Sequence, residues 1–335
     1  MPLPSDRKRI AVSIGDPAGI GCEVALKALA APEIAGRCAA VLVGDGALIA
    51  RCNRDFGTNL TLRPVDAAER LTLDGGAIEV LHVPGLDTND FRFGVVSAVN
   101  GRALIAYGEA AIRLAERGIV DAVVAAPQNQ SSVKAAGIEF DGYSTFLARV
   151  TGTPVDDVFL FVATDRFRIA HVTLHVSLRE AIDLVRRARV LKAIRATDVA
   201  LRRMGIVRPR LGVAGLNPHA GENGLFGREE IDEIAPAIAD ARAEGIDVAG
   251  PFGADVMLAR GGLDGYVVMI HDQGHIPAKL EHGATGFTIG APVLMTSVAH
   301  GSAHDIAGKG VADPSHMINA IRLCIGGAVQ DAESA

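Results

Sequence analysis

Short apolar runs rich in β-branched residues alternate with longer helical patterns along the whole chain, and this alternation constrains the fold more than any other feature. Candidate strands are Arg9–Ile14, Ala39–Val43, Ala77–Val83, Asp121–Ala126, Val158–Ala163, Ile169–His175, Leu211–Leu216, Val248–Gly250 and Tyr266–His271. Several are apolar throughout, such as Ala122-Val123-Val124-Ala125-Ala126, as expected of strands covered by helices on both faces. Between them, Val96–Glu116, Ser177–Arg203 and Glu229–Glu244 show helical spacing with charged faces. The alternation predicts an α/β protein with largely parallel sheets.

At 335 residues the chain has material for about two domains. There is no long polar linker, so boundaries rest on local cues. A division near Pro127–Gly142, with a return near Gly286–Pro292, gives one domain from residues 1–135 with 286–335 and a second from 136–285. Two consecutive domains fit the composition nearly as well. Lys+Arg 33 against Asp+Glu 39 leave a net charge of −6, which argues against a nucleic-acid-binding face. The four cysteines, Cys22, Cys38, Cys52 and Cys324, have neither zinc-ribbon spacing nor the density of a disulfide scaffold. No apolar run reaches about 18 residues, and no signal-peptide pattern opens the chain, so the expectation is a cytoplasmic protein without a membrane partner.

Of ten histidines, three sit where an apolar strand gives way to a loop. His175 ends Arg168-Ile169-Ala170-His171-Val172-Thr173-Leu174-His175, His219 follows Leu216-Asn217-Pro218, and His271 opens His271-Asp272-Gln273-Gly274-His275. In parallel α/β sheets the loops at the carboxyl ends of strands form the ligand crevice. Three imidazoles delivered there can share one divalent ion and leave positions open for substrate. Each alone reads more readily as a hydrogen-bonded structural histidine, and it is the set, each member embedded in small and polar loop residues, that favours a shared ion. His171 lies four residues before His175 and is either a supporting group or core, while His82, His282 and His316 read as surface. The turn Gly15-Asp16-Pro17-Ala18-Gly19-Ile20-Gly21 before the helix Cys22–Leu29 is not a dinucleotide fingerprint. The segment 299–310 is dense in small residues, a composition suited to close backbone contact with a ligand or to a structural turn.

Taken together, these stretches resemble the 4-hydroxythreonine-4-phosphate dehydrogenase family. The matching segments are the opening GDPAGIGCEVALKAL, the HVTLH around His175, LNPHAGENGLFGREE around His219 and MIHDQGHIPAK around His271. HGSAHDIAGKGVADP also resembles the adenosine-binding loop of isopropylmalate and isocitrate dehydrogenases. The resemblance implies a two-domain α/β/α fold of isocitrate/isopropylmalate dehydrogenase type, in a homodimer with its active site in the interdomain cleft at the subunit interface. It implies NAD as oxidant and one divalent metal ion held by His175, His219 and His271, shared between subunits. Zinc is the first choice of ion, with cobalt, iron, nickel, magnesium or manganese as alternatives. By the same resemblance His300, Gly301, Ala303, Asp305 and Asp313 meet the cofactor.

The chain departs from the phosphate-using members at several positions. Gly142-Tyr143-Ser144 replaces a Gly-His-Thr segment, Gly286 stands where an asparagine precedes Thr288-Ile289-Gly290, and Met295-Thr296-Ser297 replaces Arg-Thr-Ser. Gln128-Asn129-Gln130 replaces an Asn-Lys segment, and Lys279 and Ser144 remain of the usual substrate set. Losing an arginine fork weakens the grip on a dianionic phosphate. With Tyr143 and Met295 in place, the expected pocket is flatter and more apolar. That pattern is similar to the branch that oxidises terephthalate cis-dihydrodiol to protocatechuate. The expected chemistry is oxidation of a secondary alcohol β to a carboxylate, followed by loss of carbon dioxide. Tyr143, Ser144 and Lys279 would contact substrate, and Lys279, Asp272 and Asp255 are the candidate catalytic groups. Two alternatives stand beside this reading. One is 4-hydroxythreonine-4-phosphate dehydrogenase itself or a related phosphorylated sugar-acid dehydrogenase, and the other is a non-catalytic metabolite-binding protein.

Overall fold

The computed structural model describes residues 7–86, 91–164, 166–260, 262–281, 285–298 and 300–325. His282 and Ala299 lie outside the described residues, as does the segment 326–335 of the expected first domain. The chain forms two compact units, one from residues 7–151 with 292–325 and the other from 152–291.

In the first unit β1 (Arg9–Ser13) leads into α1 (Gly21–Ala30), β2 (Ala39–Gly44) and α2 (Gly46–Asp55). β3 (Leu62–Val65), β4 (Ile78–His82), α3 (Ala98–Glu116) and β5 (Ala122–Ala125) follow, then α4 (Gln130–Ala135) and α5 (Tyr143–Thr151). The second unit holds β6 (Phe159–Ala163), β7 (Arg168–His171), α6 (Leu178–Leu184), α7 (Arg187–Arg203) and β8 (Arg210–Ala214). It continues with α8 (Ala235–Ala243), β9 (Asp247–Phe252), α9 (Ala254–Arg260), β10 (Gly265–Val268), α10 (His271–Leu280) and β11 (Thr285–Ile289). β12 (Met295–Ser297) and α11 (Ser315–Cys324) return to the first unit.

The first unit's strands run β3-β4-β2-β1-β5-β12, all parallel. β2 and β5 are buried at every position, which explains their unbroken apolar sequence. The second unit's strands run β11-β6-β7-β10-β8-β9. β7, β10, β8 and β9 are parallel, and β6 is antiparallel to both neighbours. In both units the parallel strands deliver their carboxyl ends to one edge of the sheet, where the sequence motifs begin.

α5 belongs with the first unit because it packs on α3, where Phe146 meets Gly108. β11 belongs with the second because it pairs with β6. These pairings place the cuts at 151/152 and 291/292.

Two expected helices are interrupted for tertiary reasons. Ser177–Arg203 divides at Val185-Arg186, where Arg186 is extended. There Glu233 accepts a hydrogen bond from Arg187 N at 2.6 Å, and Asp240 accepts from the Arg187 guanidinium at 2.6 and 2.7 Å. Glu229–Glu244 opens with a π-turn at Glu230–Ile234 before α8. The expected strand Ile169–His175 stops at His171, so His175 lies in the loop beyond it. β3, β11 and β12 are strands that the apolar pattern did not single out. Among the described residues no helix is long and apolar enough to cross a membrane, and all four cysteines are buried free thiols.

Gly21 opens α1 directly over the end of β1. A methyl group there would overlap the Ile14 carbonyl oxygen, which is backbone and cannot rotate away. On propensity alone, Gly21→Ala would gain up to about 1 kcal/mol. We expect the clash to win, lowering unfolding free energy by about 1–3 kcal/mol in urea titration.

Candidate functional site

In the second unit, hydrogen bonds tie together the carboxyl ends of the strands that carry the motifs. Beyond β7, the Thr173 hydroxyl and amide donate to the Met269 carbonyl at 2.7 and 3.1 Å, so the loop to His175 is sewn to the end of β10. Gln273, in the first turn of α10, accepts from the amides of Met269 (2.9 Å) and Ile270 (3.3 Å). Its side-chain amide donates to the Gly215 carbonyl at 2.9 Å, joining the β10 turn to the end of β8. Glu230, 3% exposed, accepts from the amides of Leu216 (2.7 Å) and Asn217 (2.8 Å) and from the Asn217 side chain (2.9 Å). This carboxylate shapes the loop that leads to His219.

His219 stands at the start of an unusual turn. His219, Ala220, Gly221, Glu222 and Asn223 are all left-handed, with φ between 44° and 77°. Non-glycine residues avoid this region, at roughly 1–2 kcal/mol each, so surrounding bonds must hold it. The Phe226 amide donates to Gly221 at 3.1 Å, and Leu225 to Glu222 at 3.3 Å. The turn leaves the His219 side chain 69% exposed, with Glu222 3.7 Å from Nδ1.

Four imidazoles cluster where β7 and β10 end. His175 and His271 have ring centroids 5.7 Å apart, close to the roughly 5 Å that two imidazoles adopt on one tetrahedral ion. Asp272 accepts from His271 Nδ1 at 2.6 Å, which leaves Nε2 as the lone-pair nitrogen. His275 stacks on His271 at 3.9 Å, and His171 lies 4.6 Å from His275. Burial and then the neighbouring His275 push His171 down to about 3. Burial and then His271 push His275 down to about 4, and the same two causes lower His175. His171, His175 and His275 are thereby held toward the neutral form, the one in which imidazole binds a metal. This donor set fits a borderline divalent ion. Among the described residues no group of three His, Cys, Asp or Glu is arranged within one chain to hold it, so His219 does not join the pair in a single protomer.

The remaining candidates in this unit fall on two sides. Lys279 lies exposed on α10, four residues beyond His275 and on the same helical face. Asp255 lies in the first turn of α9 beside Gly253, which also neighbours the His219 backbone, so this carboxylate belongs with the β8 and β9 ends.

The first unit assembles the loop proposed for a cofactor. Asn129, after β5, donates to the Ser302 hydroxyl at 3.0 Å and lies 3.2 Å from His304. His304 Nε2 is 2.7 Å from Asp16, a fully buried carboxylate in the turn after β1. The Ile20 amide donates to the Ser302 carbonyl at 3.0 Å. Lys27, paired with buried Glu23, donates to the carbonyls of Gly310 and Ala312 at 2.9 Å. Held at these points, the loop keeps Gly301 in open space, while Ala303 takes a left-handed φ of 41°. Asp305 is exposed, and His300 packs edge-on against His316 at 5.2 Å. Asp313 is committed to Ser315, whose amide and hydroxyl donate to it at 2.9 and 2.6 Å and lower its pKa.

Two expected pocket residues are instead interior. Tyr143 is 8% exposed, donates its hydroxyl to the Ala126 carbonyl at 2.8 Å and packs against Phe140. Met295 is 1% exposed within β12. Helix packing engages Tyr143, and strand packing engages Met295. Ser144 is half-buried beside Tyr143 on α5. Of the surface histidines, His82 is exposed and accepts from Gly46 N at 3.1 Å, whereas His316 is half-buried with its Nδ1 enclosed. The sequence pattern did not single out Gln273, Glu230, Asn129, Asp16 or His304 as bonding groups. All lie inside the quoted motifs, and that position was the only signal they gave.

Known proteins are similar to this chain over most of its length. Residues 36–324 match the family model described as pyridoxal phosphate biosynthetic protein PdxA. A D-threonate 4-phosphate dehydrogenase from Cupriavidus necator is 41% identical over 320 residues, covering 93% of this chain and 95% of that protein. The crystal structure of a 4-hydroxythreonine-4-phosphate dehydrogenase from Klebsiella pneumoniae aligns with a TM-score of 0.84 at 38% identity, covering 96% of this chain and 99% of that one. A terephthalate 1,2-cis-dihydrodiol dehydrogenase structure from Burkholderia xenovorans LB400 aligns with a TM-score of 0.77 at 41% identity, covering 96% and 98%. The chain is an oxidoreductase of the dehydrogenase class and belongs to the PdxA family.

Proposed function

We propose that the protein oxidises the secondary alcohol of a phosphorylated hydroxy acid with NAD and a divalent ion, with D-threonate 4-phosphate as the first candidate. Loss of carbon dioxide from the resulting β-keto acid follows. The observation that carries this choice is the similarity to the D-threonate 4-phosphate dehydrogenase of Cupriavidus necator over 93% of this chain and 95% of that protein. Tyr143 and Met295, both buried, add no support for a ring-shaped pocket.

His175 and His271 would hold the ion in one protomer, with the triad of His175, His219 and His271 completed across a homodimer. The bound ion supplies Lewis-acid polarisation of the alcohol and then of the ketone. Asp272 fixes the His271 tautomer and ring. Lys279, on the face of α10 shared with His271 and His275, meets an anionic group of the substrate or carries a proton. In the first unit, His300, Gly301, Ala303 and Asp305 would form the adenosine contact. Asn129, His304 and Asp16 hold that loop in place from beneath.

A second reading, oxidation of terephthalate cis-dihydrodiol, keeps support from the 41% identity to the Burkholderia enzyme.

NADH formation with D-threonate 4-phosphate, 4-phosphohydroxy-L-threonine and terephthalate cis-dihydrodiol decides among these. We expect the first to give the highest kcat/KM, and turnover of the dihydrodiol alone would reverse the assignment. His271→Ala should lower kcat by more than ~100-fold, and Asp272→Asn by about 10–100-fold, since the latter leaves the ligand but frees its ring. Acid should also destabilise the fold in a defined window. His171, His175 and His275 have lowered pKa values in the folded protein, about 3 for His171 and about 4 for His275. The unfolded chain binds their protons first, near pH 6.5. Stability is thus full above about pH 6.5 and falls as the pH drops toward 4. Urea midpoints measured across that range check the slope, and a flat profile would count against the buried neutral cluster.

A further inference from the structure

The imidazole cluster contains a pair that the proposed ligand set does not use. His171 ends β7 and is 1% exposed. Its Nδ1 lies 3.3 Å from the Leu160 carbonyl. An oxygen there can only accept, so the proton sits on His171 Nδ1 and Nε2 carries the lone pair. His275 Nδ1 lies 3.1 Å from that lone pair and must donate to it. His275 is thereby held in one tautomer and one orientation. Gly274 makes room for this contact, because any side chain there would overlap the His171 ring.

The His275 ring lies against His271 with centroids 3.9 Å apart and planes only 8° from parallel. Lone pairs lie in the ring plane, and rings this close to parallel cannot aim both at one ion about 2 Å from each. His275 is therefore not a second ligand beside His271. Its contact is with the face of the ring, where it restricts rotation about the side-chain bonds of His271. Asp272 restrains the same imidazole through its edge at Nδ1.

We propose that His275, anchored by buried His171, is a positioning residue that fixes the plane of the His271 imidazole so that Nε2 is presented to the divalent ion. The idea rests on the metal reading above. It places one restraint on the ring face and another on the ring edge, which together leave the ligand little freedom. Such restraint lowers the entropy lost on metal binding, and supporting groups of this kind are worth about 10–100-fold in affinity.

The test uses cobalt(II) as the probe on the full-length homodimer, following the visible absorption bands and the dissociation constant. His275→Ala should weaken cobalt binding by about 10–100-fold and shift the bands. His275→Phe keeps a flat ring against His271 and should recover most of the lost affinity. Circular dichroism and urea midpoints establish that each variant is folded. Wild-type affinity and wild-type bands in His275→Ala would overturn the proposal. So would a folded His275→Phe that binds as weakly as the alanine variant. His271→Ala separates this failure from failure of the metal reading. If His271→Ala loses cobalt while His275→Ala behaves as wild type, only the positioning role is lost. If wild type and His271→Ala bind cobalt alike, the metal reading falls and the positioning role falls with it.

Discussion

The strand ends of the second unit that carry the histidine motifs depend on one side chain. Gln273 takes two backbone amides at the end of β10 and gives a hydrogen bond to the carbonyl at the end of β8. Thr173 extends the same stitching to β7. Backbone groups at strand ends have lost their ladder partners, and leaving them buried and unpaired would cost about 1–3 kcal/mol each. Satisfying them with side chains from the next element fixes the geometry of the loops. Three loops that carry histidines thus become one hydrogen-bonded surface.

Electrostatics reinforce this arrangement. Burial and neighbouring imidazoles suppress protonation of His171, His175 and His275. Neutral imidazoles are the ligand form, so the packing that destabilises protonated histidine also prepares the site for a cation. The first unit applies a related logic to a loop rather than to an ion. Asp16 is buried, and burial raises its pKa, yet His304 and the Ala18 amide provide its partners. A carboxylate that must find partners in the interior holds the loop it bonds to.

Much of the fold was legible because parallel strands buried on both faces require long apolar stretches, and β1, β2, β5 and β10 have them. β3 escaped notice because it is a short edge strand containing Pro64, which an edge tolerates. β11 contains Gly286 and is bounded by further small residues, and β12 spans only Met295–Ser297. Of the site, His175, His219 and His271 were readable as a convergent set because short motifs place them in loops after strands, and within one protomer the rings of His175 and His271 lie 5.7 Å apart. The turn that carries His219 was readable as a loop, but its run of left-handed residues was not. Tyr143 and Met295 show the reverse case. Their chemistry suggested a pocket wall, and their burial assigns them to the interior.

The amino-acid sequence alone determined the strand-helix alternation, the family and the identity of the histidines, since these follow from local pattern and from motifs a few residues long. Tertiary structure decided which groups share a site, because that depends on contacts between residues far apart in the chain. Gln273 meets Gly215, His275 meets His171, and Asp16 meets His304 only after the sheets have formed. Tertiary structure also decided that Tyr143 is buried with its hydroxyl on the Ala126 carbonyl. Whether a side chain faces a cavity or the core is set by its neighbours in space, and no local pattern records them.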